Sequence, residues 1–260
     1  MRSAKGMVYL IGAGPGDPDL LTVKALKALS ASDIVLYDRL VSDDILRLLK
    51  DKTMIPVGKA HGEDPEEAQR SLNSMMLDYA LRGLTVARLK CGDPMIFGRG
   101  GEEAAFLASH GVQVEIVPGI TSAISLGEIA GIPLTHRGVS SSLTIISGHR
   151  AGDQEYDWES IVKLGGTLVI LMGAGTIGKI SRSLIDAGMP QDMPVCMVIN
   201  GSTAMQRVIF CRLCECDDVQ GELNGPTTII IGRVVELAKH TLLSGSGDPY
   251  GIHSSDAQYR

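Results

Sequence analysis

Hydrophobic and polar residues follow two alternating periods along the first half of this chain. Short apolar runs, typical of buried strands, are separated by stretches in which apolar residues recur at helical spacing. The apolar runs cover residues 7–11, 34–36, 55–59, 86–89 and 112–117. Between the third and fourth runs, Leu72, Met75 and Met76 share one helical face, so these methionines are expected to pack in a core. Strands that alternate with amphipathic helices predict an α/β fold.

The second half shows the same alternation, with a difference in how the strands connect. Predicted strands cover residues 143–146, 167–172, 195–199, 207–213 and 227–231. A helix is predicted over residues 176–187, and Gly188 ends it. Asn200-Gly201, between the third and fourth of these strands, is typical of a hairpin turn. Because hairpins join antiparallel strands, this half is expected to be partly antiparallel.

Two breaks in the pattern divide the chain. Pro118-Gly119 follows the last strand of the first half and precedes a new helix, so we place a domain boundary there. From Ser244 onward the chain is rich in Gly, Ser, Asp and Pro, a composition typical of a flexible segment. The prediction is an N-terminal α/β domain at residues 1–119, a C-terminal α/β domain at residues 120–243 and a flexible tail at residues 244–260.

Composition and charge narrow the class of protein. A chain of 260 residues that is 44% hydrophobic and 21% charged can bury substantial cores. A net charge of −6 argues against sequence-independent nucleic-acid binding, which needs a basic surface. The longest apolar runs are shorter than a bilayer span, and too few residues precede Met7 for a signal peptide. We expect a cytoplasmic enzyme, or an organellar one after processing, with no membrane or nucleic-acid partner.

The five cysteines raise the question of a metal site. Cys211, Cys214 and Cys216 have a spacing that could bind a metal, but neither a nearby histidine nor a second cysteine pair accompanies them. The alternative is a set of reduced cysteines on a strand, as in proteins of reducing compartments. We favour that alternative and predict no metal site.

A glycine loop follows the first strand and precedes a helix that Asp17 is expected to cap. In this setting, a glycine turn with an acidic residue about 20 positions later, here Asp38, is typical of an NAD site. However, Gly12, Gly14 and Gly16 are spaced by two, and Asp17 puts a carboxylate where a pyrophosphate would bind. An NAD-linked enzyme is therefore the weaker interpretation of this loop.

The chemistry is expected to centre on residues 88–103, where a buried strand ends in the turn-forming residues 92–94. The next turn, Gly-Arg-Gly-Gly at residues 98–101, frees backbone N–H groups and leaves room for a ligand against the main chain. The alternative is a plain helix start, with Glu102 and Glu103 favoured by the helix dipole. That alternative explains the glutamates and leaves the glycines around the arginine unexplained.

Five stretches in this order resemble the uroporphyrinogen-III C-methyltransferase family, which belongs to the tetrapyrrole methyltransferases. They are residues 12–21, 57–59, 88–103, 117–123 and 131–137, and the similarity covers about residues 7–239. The resemblance implies a two-domain tetrapyrrole methylase fold of the α/β class, with mixed sheets, helices on both faces and a ligand cleft between the domains. It implies transfer of two methyl groups from S-adenosyl-L-methionine to uroporphyrinogen III, giving precorrin-2 and S-adenosyl-L-homocysteine. It also implies a homodimer.

The resemblance assigns roles residue by residue. The implied methyl-donor contacts are Pro15, Cys91, Gly92, Asp93, Ile96, Thr121, Ser122, Met172 and Gly201. Asp38 and Lys59 match the family's proposed proton acceptor and donor, and Arg99, Glu102 and Arg137 match positions that it uses against the macrocycle. The family normally has glycine where this chain has Cys91. A side chain there costs about 1 kcal/mol or more if the backbone has positive φ, so we expect its Cβ to turn away from the donor.

These assignments agree with the chemistry. A sulfonium methyl group is already activated, so the protein mainly has to align it with a carbon nucleophile. The methylated macrocycle must lose a proton, and Asp38 could accept it as a general base. The alternative is that Asp38 only caps the helix near Ser42 and that Lys59 is an ordinary solvated lysine. An octa-acid substrate also requires a local concentration of cations. Those available are Lys90, Arg99, Arg137 and Arg150.

Two other functions stay open at this point. The nearer one is a methylase that acts on a later precorrin or cobalt-precorrin intermediate, which the cysteine at position 91 slightly favours. The other belongs to a different class, a non-catalytic adenosyl-ligand sensor or an NAD-linked enzyme. The combination of Lys59, Asp38 and Arg99 disfavours both members of that class.

Overall fold

The computed structural model describes residues 6–58, 64–149 and 156–238. The chain divides into two compact units, Met1–Thr121 and Ser122–Arg260. The predicted tail, Lys59 and Arg150 lie outside the described residues. Within the described ranges, no helix combines the length and the apolar character needed to cross a bilayer.

The first unit is built on a five-stranded parallel sheet. Its strands are β1 (Met7–Gly12), β2 (Ile34–Tyr37), β3 (Thr53–Pro56), β4 (Val86–Lys90) and β5 (Gln113–Val117). The spatial order is β3-β2-β4-β1-β5, and every neighbouring pair is parallel. All five carboxyl ends therefore lie along one edge of the sheet, where ligands of open α/β sheets bind.

Helices cover both faces of this sheet. They are α1 (Val23–Ala31), α2 (Asp43–Leu48), α3 (Pro65–Leu81) and α4 (Gly100–Ser109). Apolar residues of α1 and α2 form a core on one face, and those of α3 and α4 form a core on the other. As the pattern predicted, Leu72 and Met76 are buried and Met75 packs against the same core. Because helices cover both faces of the sheet, its strands appear in the sequence as continuous apolar runs.

The start of the first helix differs from the prediction. Asp17 accepts a hydrogen bond from the Asp19 N–H and caps a short 3-10 turn, Pro18–Leu20. Thr22 caps α1, since its hydroxyl accepts from the Ala25 N–H at 3.0 Å. The prediction that Asp17 caps this helix was therefore wrong, because a separate turn comes between the glycine loop and the helix.

The second unit holds a five-stranded mixed sheet. Its strands are β6 (Leu143–Ser147), β7 (Thr167–Leu171), β8 (Pro194–Ile199), β9 (Arg207–Arg212) and β10 (Thr227–Ile231). In the order β6-β7-β10-β8-β9, only the β6 and β7 pair is parallel. The expected antiparallel hairpin joins β8 to β9, but through residues 200–206 instead of a two-residue turn.

Four helices complete the second unit within the described residues. They are α5 (Ser122–Ile129), α6 (Trp158–Leu164), α7 (Ile177–Asp186) and α8 (Cys216–Val219). The side chains of α5 pack on one face of the sheet, and those of α6 and α7 pack on the other. Like the first unit, the second thus has an apolar core on each face.

The cysteines lie differently from the prediction. Of Cys211, Cys214 and Cys216, only Cys211 is on a strand, whereas Cys214 lies in a 3-10 turn and Cys216 begins α8. The Sγ atoms of Cys211 and Cys216 are 3.9 Å apart, and both thiols are free. The hydrogen bond with Cys211, followed by burial, raises the pKa of the Cys216 thiol. Among the described residues, no group of three or more His, Cys, Asp or Glu side chains is arranged to hold a metal ion.

Candidate active site

Three loops of the first unit cross at the carboxyl ends of β1, β4 and β5. Gly14 and Gly92 form an antiparallel bridge, in which each N–H donates to the carbonyl of the other residue at 3.1 and 2.8 Å. A Cβ placed on Gly12 would lie 2.5 Å from the Gly119 Cα, and one placed on Gly119 would lie 2.2 Å from the Gly92 oxygen. We call Gly12, Gly14, Gly92 and Gly119 the glycine junction. At Gly12 and Gly119 the backbones approach more closely than any side chain would permit.

Two glycines of the junction also have a left-handed backbone, with φ of +76° at Gly14 and +66° at Gly92. These values explain glycine at both positions, because a Cβ in this region is strained. Pro15 is buried beside the junction, directly after Gly14. The glycines of this loop are therefore needed where the loops cross each other. A dinucleotide-binding loop would not have required such a crossing.

Asp93, a predicted donor contact, holds two of these loops together. Its Oδ1 accepts from the Met95 N–H at 2.8 Å, and its Oδ2 accepts from the Gly119 N–H at 3.1 Å. Both carboxylate oxygens are therefore engaged by backbone of the first unit. The position of Asp93 supports a role in shaping the loops, beside any contact that it makes with a ligand.

Cys91 does not carry the backbone strain considered above, because it is absent from the described non-glycine residues with positive φ. Its Sγ lies 3.9 Å from the Gly14 oxygen, so the side chain packs on the first glycine loop. Burial raises the pKa of the Cys91 thiol to about 11, with the Asp38 carboxylate as a second cause. The thiol is therefore neutral at physiological pH and acts as a small packing group.

Replacing Cys91 by glycine tests this interpretation. We expect the affinity for S-adenosyl-L-homocysteine to stay within about 3-fold of wild type, and the free energy of unfolding to fall by about 1 kcal/mol as backbone freedom increases. Calorimetry and urea unfolding would measure the two quantities. A large gain in affinity would instead mean that the thiol obstructs the ligand.

The turn at residues 98–101 is more closed than expected. Cβ atoms placed on Gly98 and Gly100 would lie 2.7 and 2.4 Å from the Pro94 oxygen, and the Gly100 N–H donates to that oxygen at 3.0 Å. Only at Gly101 is there room, since the nearest atom would be the Met95 Cε at 3.8 Å. The prediction that these glycines leave space for a ligand was therefore wrong for Gly98 and Gly100, which pack against their own loop.

Exposed apolar side chains lie between Asp93 and this turn. Met95, Ile96 and Phe97 are 49%, 42% and 47% exposed, and Phe97 has a left-handed backbone with φ of +51°. A strained loop that presents apolar side chains to solvent is typical of a ligand-binding segment. Ile96 was predicted from the sequence, whereas its two neighbours were not.

Arg99 and Glu102, both predicted substrate contacts, are paired with each other. The Arg99 guanidinium donates to Glu102 Oε2 at 2.6 Å and reaches Glu66 at 3.1 Å. This pairing raises the pKa of Arg99 and lowers that of Glu102. Arg137, in the second unit, is exposed. A carboxylate ligand would therefore have to compete with two glutamates for Arg99.

The predicted base Asp38 follows β2 and belongs to a buried ion network with Arg88, Lys90 and Glu103. Arg88 Nη2 donates to Asp38 Oδ1, and Arg88 Nε donates to Glu103 Oε1 at 3.4 Å. Lys90 Nζ lies 3.0 Å from Glu103 Oε1 and 4.0 Å from Asp38 Oδ2. Ser42, whose hydroxyl accepts from the Ile45 N–H, caps α2. The alternative that Asp38 caps this helix is therefore wrong.

The network changes the interpretation of Lys90. It was expected to face an acidic ligand, but its side chain is 6% exposed and paired with Glu103. Burial, followed by the neighbouring Arg88, lowers the pKa of Lys90. Glu103, read from the sequence as a helix-dipole residue, is fully buried, and its Oε2 is without a hydrogen-bond partner in the described part of the chain.

Sequence reasoning missed this network although a signal was present. Arg88 and Lys90 are two apart on a central strand that is otherwise apolar, so they point to the same face. Two cations on one buried face require acidic partners, which Asp38 and Glu103 provide. Their sequence separation prevented any pairing rule from selecting them.

The remaining predicted donor contacts lie in the second unit, except Thr121. Met172 follows β7 with φ of +55° and is 51% exposed. Gly201 follows β8 and is buried, and a Cβ there would lie 2.5 Å from Leu126 Cδ2. Because β7 and β8 are both antiparallel to β10, Met172 and Gly201 lie at the same edge of this sheet. Ser122 begins α5, and Thr121 ends the first unit.

Comparison with known proteins identifies the class. The sequence profile of the Tetrapyrrole (Corrin/Porphyrin) Methylases matches residues 7–217. The chain therefore belongs to this family of tetrapyrrole methylases, and the resemblance inferred from its motifs is confirmed.

Individual relatives show which members of the family this chain is similar to. A protein of Arabidopsis thaliana named "S-adenosyl-L-methionine-dependent uroporphyrinogen III methyltransferase, chloroplastic" is 45% identical over 239 residues, which are 90% of this chain and 64% of that protein. A siroheme synthase of Psychromonas ingrahamii is 46% identical over 236 residues, which are 90% of this chain and 50% of that protein. The chain thus spans between half and two thirds of the length of these curated relatives.

Solved structures share the fold. The uroporphyrin-III C-methyl transferase of Thermus thermophilus, complexed with S-adenyl homocysteine, is 41% identical with a TM-score of 0.78, over 89% of this chain and all of that one. A cobalt precorrin-4 methyltransferase is 28% identical with a TM-score of 0.76, over 88% of this chain and 95% of that one. These likenesses confirm the predicted two-domain α/β fold class.

Proposed function

We propose that the protein transfers two methyl groups from S-adenosyl-L-methionine to uroporphyrinogen III and so forms precorrin-2. The observation that carries the proposal is the meeting of the glycine junction with Asp38 at one edge of a parallel sheet, in a member of the tetrapyrrole methylase family. The names of the Arabidopsis and Thermus relatives supply the substrate and the donor. This product would serve sirohaem or cobalamin synthesis.

The residues at the junction suit the donor. When bound, S-adenosyl-L-methionine supplies an activated methyl group, so the protein has to hold and align it. The absence of a side chain at Gly92 and the exposed apolar groups at Met95 and Ile96 suit a ligand with polar and apolar parts. The proposed donor contacts are those of the family resemblance: Pro15, Cys91, Gly92, Asp93, Ile96, Thr121, Ser122, Met172 and Gly201.

Proton transfer falls to two residues in the proposal. Asp38 accepts the proton that leaves the methylated macrocycle, and Lys59 donates where a proton is required. The Asp38 side chain is 30% exposed, so a ligand can reach a carboxylate that is otherwise part of a buried network. The role of Lys59 rests on the family resemblance alone.

Arg99, Glu102 and Arg137 are proposed to contact the macrocycle. Arginine suits this task, because its planar guanidinium can bind a carboxylate through two hydrogen bonds. For Arg99 a substrate carboxylate would replace Glu102 and Glu66, and both glutamates are exposed enough to release the guanidinium. The exchange lets a protein of net negative charge bind an octa-acid without a permanently unpaired cation.

Replacement of Arg99 by alanine tests the substrate contact. We expect the KM for uroporphyrinogen III to rise about 10-fold or more, since a desolvated charged contact is lost. The free energy of unfolding should change by less than about 1 kcal/mol, because the existing pairs are exposed. Arg82→Ala, which removes an exposed ion pair with Asp78, is the matched control. Wild-type kinetics for Arg99→Ala would remove this residue from the site.

The proposed reaction is tested by incubating the protein with methyl-labelled S-adenosyl-L-methionine and uroporphyrinogen III, followed by mass analysis. The expected product carries two added methyl groups. The likeness to a cobalt precorrin-4 methyltransferase favours a later corrin precursor as the second candidate substrate. Turnover of such a precursor without turnover of uroporphyrinogen III would select it. Ligand binding without turnover of either would favour a sensor.

Assembly and compartment complete the proposal. We propose a homodimer, as the family resemblance implies, and sedimentation equilibrium would measure the mass of the particle. A cytoplasmic location, or an organellar one after processing, agrees with the expected reducing compartment. Fractionation of cells that produce the protein would test that location.

A further inference from the structure

We infer that Arg88 is a positioning residue, which fixes the Asp38 carboxylate by linking it to the buried Glu103. The inference rests on the proposed function, in which Asp38 is the base. The ion network of Asp38, Arg88, Lys90 and Glu103 carries it, because a single guanidinium bonds the proposed base at one end and a fully buried carboxylate at the other.

The four side chains of the network differ in how far they are exposed to solvent. Arg88, Lys90 and Glu103 are 3%, 6% and 0% exposed, whereas Asp38 is 30% exposed. Within this network, only Asp38 can meet a ligand. The other three members thus act on a bound molecule through Asp38, or else not at all.

Stability alone is a poor reason for such a network. Buried ion pairs are often no more stabilising than well-packed apolar residues of similar volume, whereas the loss of one partner is destabilising. The surrounding core on the α3 and α4 face is apolar and would accept such residues. The presence of two cations and two anions in this core is better explained by a role in holding a side chain in position.

The contacts within the network show that Asp38 is the side chain held in position. Arg88 Nη2 bonds Asp38 Oδ1, and Lys90 lies 4.0 Å from Asp38 Oδ2, so each carboxylate oxygen faces a different cation. The Asp38 N–H donates to the Leu89 carbonyl at 3.2 Å, and Arg88 Nη1 donates to the same carbonyl at 3.2 Å. The carboxylate is therefore restrained in position and rotation, which a base needs to meet a substrate proton at the correct distance.

Glu103 restrains the two cations in turn. Its Oε1 accepts from Arg88, Lys90 and Gln69, the last at 3.2 Å. Because Glu103 lies in the first turn of α4, directly after the turn at residues 98–101, the position of this helix is transmitted to the base. The network thus couples the loop that carries Arg99 to Asp38.

Replacement of Arg88 by lysine tests the inference. Lysine keeps the charge, but its single ammonium cannot bond Asp38 and Glu103 through separate nitrogens as the guanidinium does. We expect the kcat for methyl transfer to fall by about 10- to 100-fold, as for a displaced catalytic group. The KM for both substrates should stay within about 3-fold, since Arg88 has almost no exposed surface to offer a ligand. Arg47→Lys, at an exposed ion pair with Asp44, should leave kcat unchanged.

A double-mutant cycle separates positioning from a structural role. If Arg88 acts through Asp38, then Arg88→Lys should lower the rate by less than about 2-fold once Asp38→Asn is present. Single-turnover reactions with excess enzyme keep such slow variants measurable, and Asp38→Glu takes the place of Asp38→Asn if its rate falls below detection. Equal losses from Arg88→Lys in both backgrounds, or an unchanged kcat in the wild-type background, would overturn the inference.

A second variant covers the case in which Arg88→Lys does not fold. Glu103→Gln keeps the shape of the buried side chain and removes its charge, so the same selective loss of kcat is expected. Circular dichroism and S-adenosyl-L-homocysteine affinity would verify its fold. If wild-type protein does not methylate uroporphyrinogen III, the proposed function fails. If wild type is active and both folded variants keep its kcat, the inference alone fails.

Discussion

Alanine in place of Gly119 is expected to lower the free energy of unfolding by about 3 kcal/mol or more, an effect typical of severe overpacking. The added Cβ would lie 2.2 Å from the Gly92 oxygen and 2.6 Å from the Gly12 Cα, and both contacts are with backbone. Neither of these backbone segments can move away without disturbing the bridge between Gly14 and Gly92. We therefore also expect S-adenosyl-L-homocysteine to bind at least about 10-fold more weakly.

Urea unfolding and titration calorimetry would measure the two effects. Gly101→Ala is the matched control in the same unit, because its Cβ would meet only the flexible end of Met95 at 3.8 Å. That variant should differ from wild type by less than about 0.5 kcal/mol. If Gly119→Ala matched Gly101→Ala in stability and affinity, the glycine junction would not be the close crossing described.

Asparagine in place of Asp38 is expected to lower kcat by about 100-fold or more, the usual contribution of a general base. The amide keeps the shape of the side chain but cannot accept the proton. The affinity for S-adenosyl-L-homocysteine should stay within about 3-fold of wild type, since the glycine junction is intact. Stability should fall by about 1–3 kcal/mol, because Arg88 loses a charged partner.

Rapid-quench assays would separate the chemical step from binding in this variant. Asp44→Asn is its control, because the same substitution there removes an exposed ion pair with Arg47 on α2. That control should retain wild-type kcat. Full activity of Asp38→Asn would assign the proton to another acceptor and leave Asp38 as a structural partner of Arg88.

Much of the fold could be predicted because its signals are local. Strands buried on both faces appear as continuous apolar runs, and the spacing of Leu72, Met75 and Met76 identified the buried face of α3. The hairpin between β8 and β9 was predicted from Asn200-Gly201, although its loop is longer. The capping residue of α1 was misassigned, because the sequence does not reveal the 3-10 turn that precedes it.

The site was harder to predict because its contacts join distant segments. The glycines of residues 12–16 and 98–101 indicated unusual backbone, but not that Gly12 packs on Gly119 or that Gly100 packs on Pro94. Arg88 and Lys90 were visible as charges on a buried strand, yet their partners lie far away in sequence. Pairings of this kind depend on strand order, which residue patterns do not determine.

The most direct test of the account is a crystal structure of the protein with S-adenosyl-L-homocysteine. The account predicts the ligand against Pro15 and Gly92, at the carboxyl ends of β1 and β4, with Asp38 still bonded to Arg88. A ligand bound away from this edge of the sheet, with the glycine junction uncontacted, would contradict it.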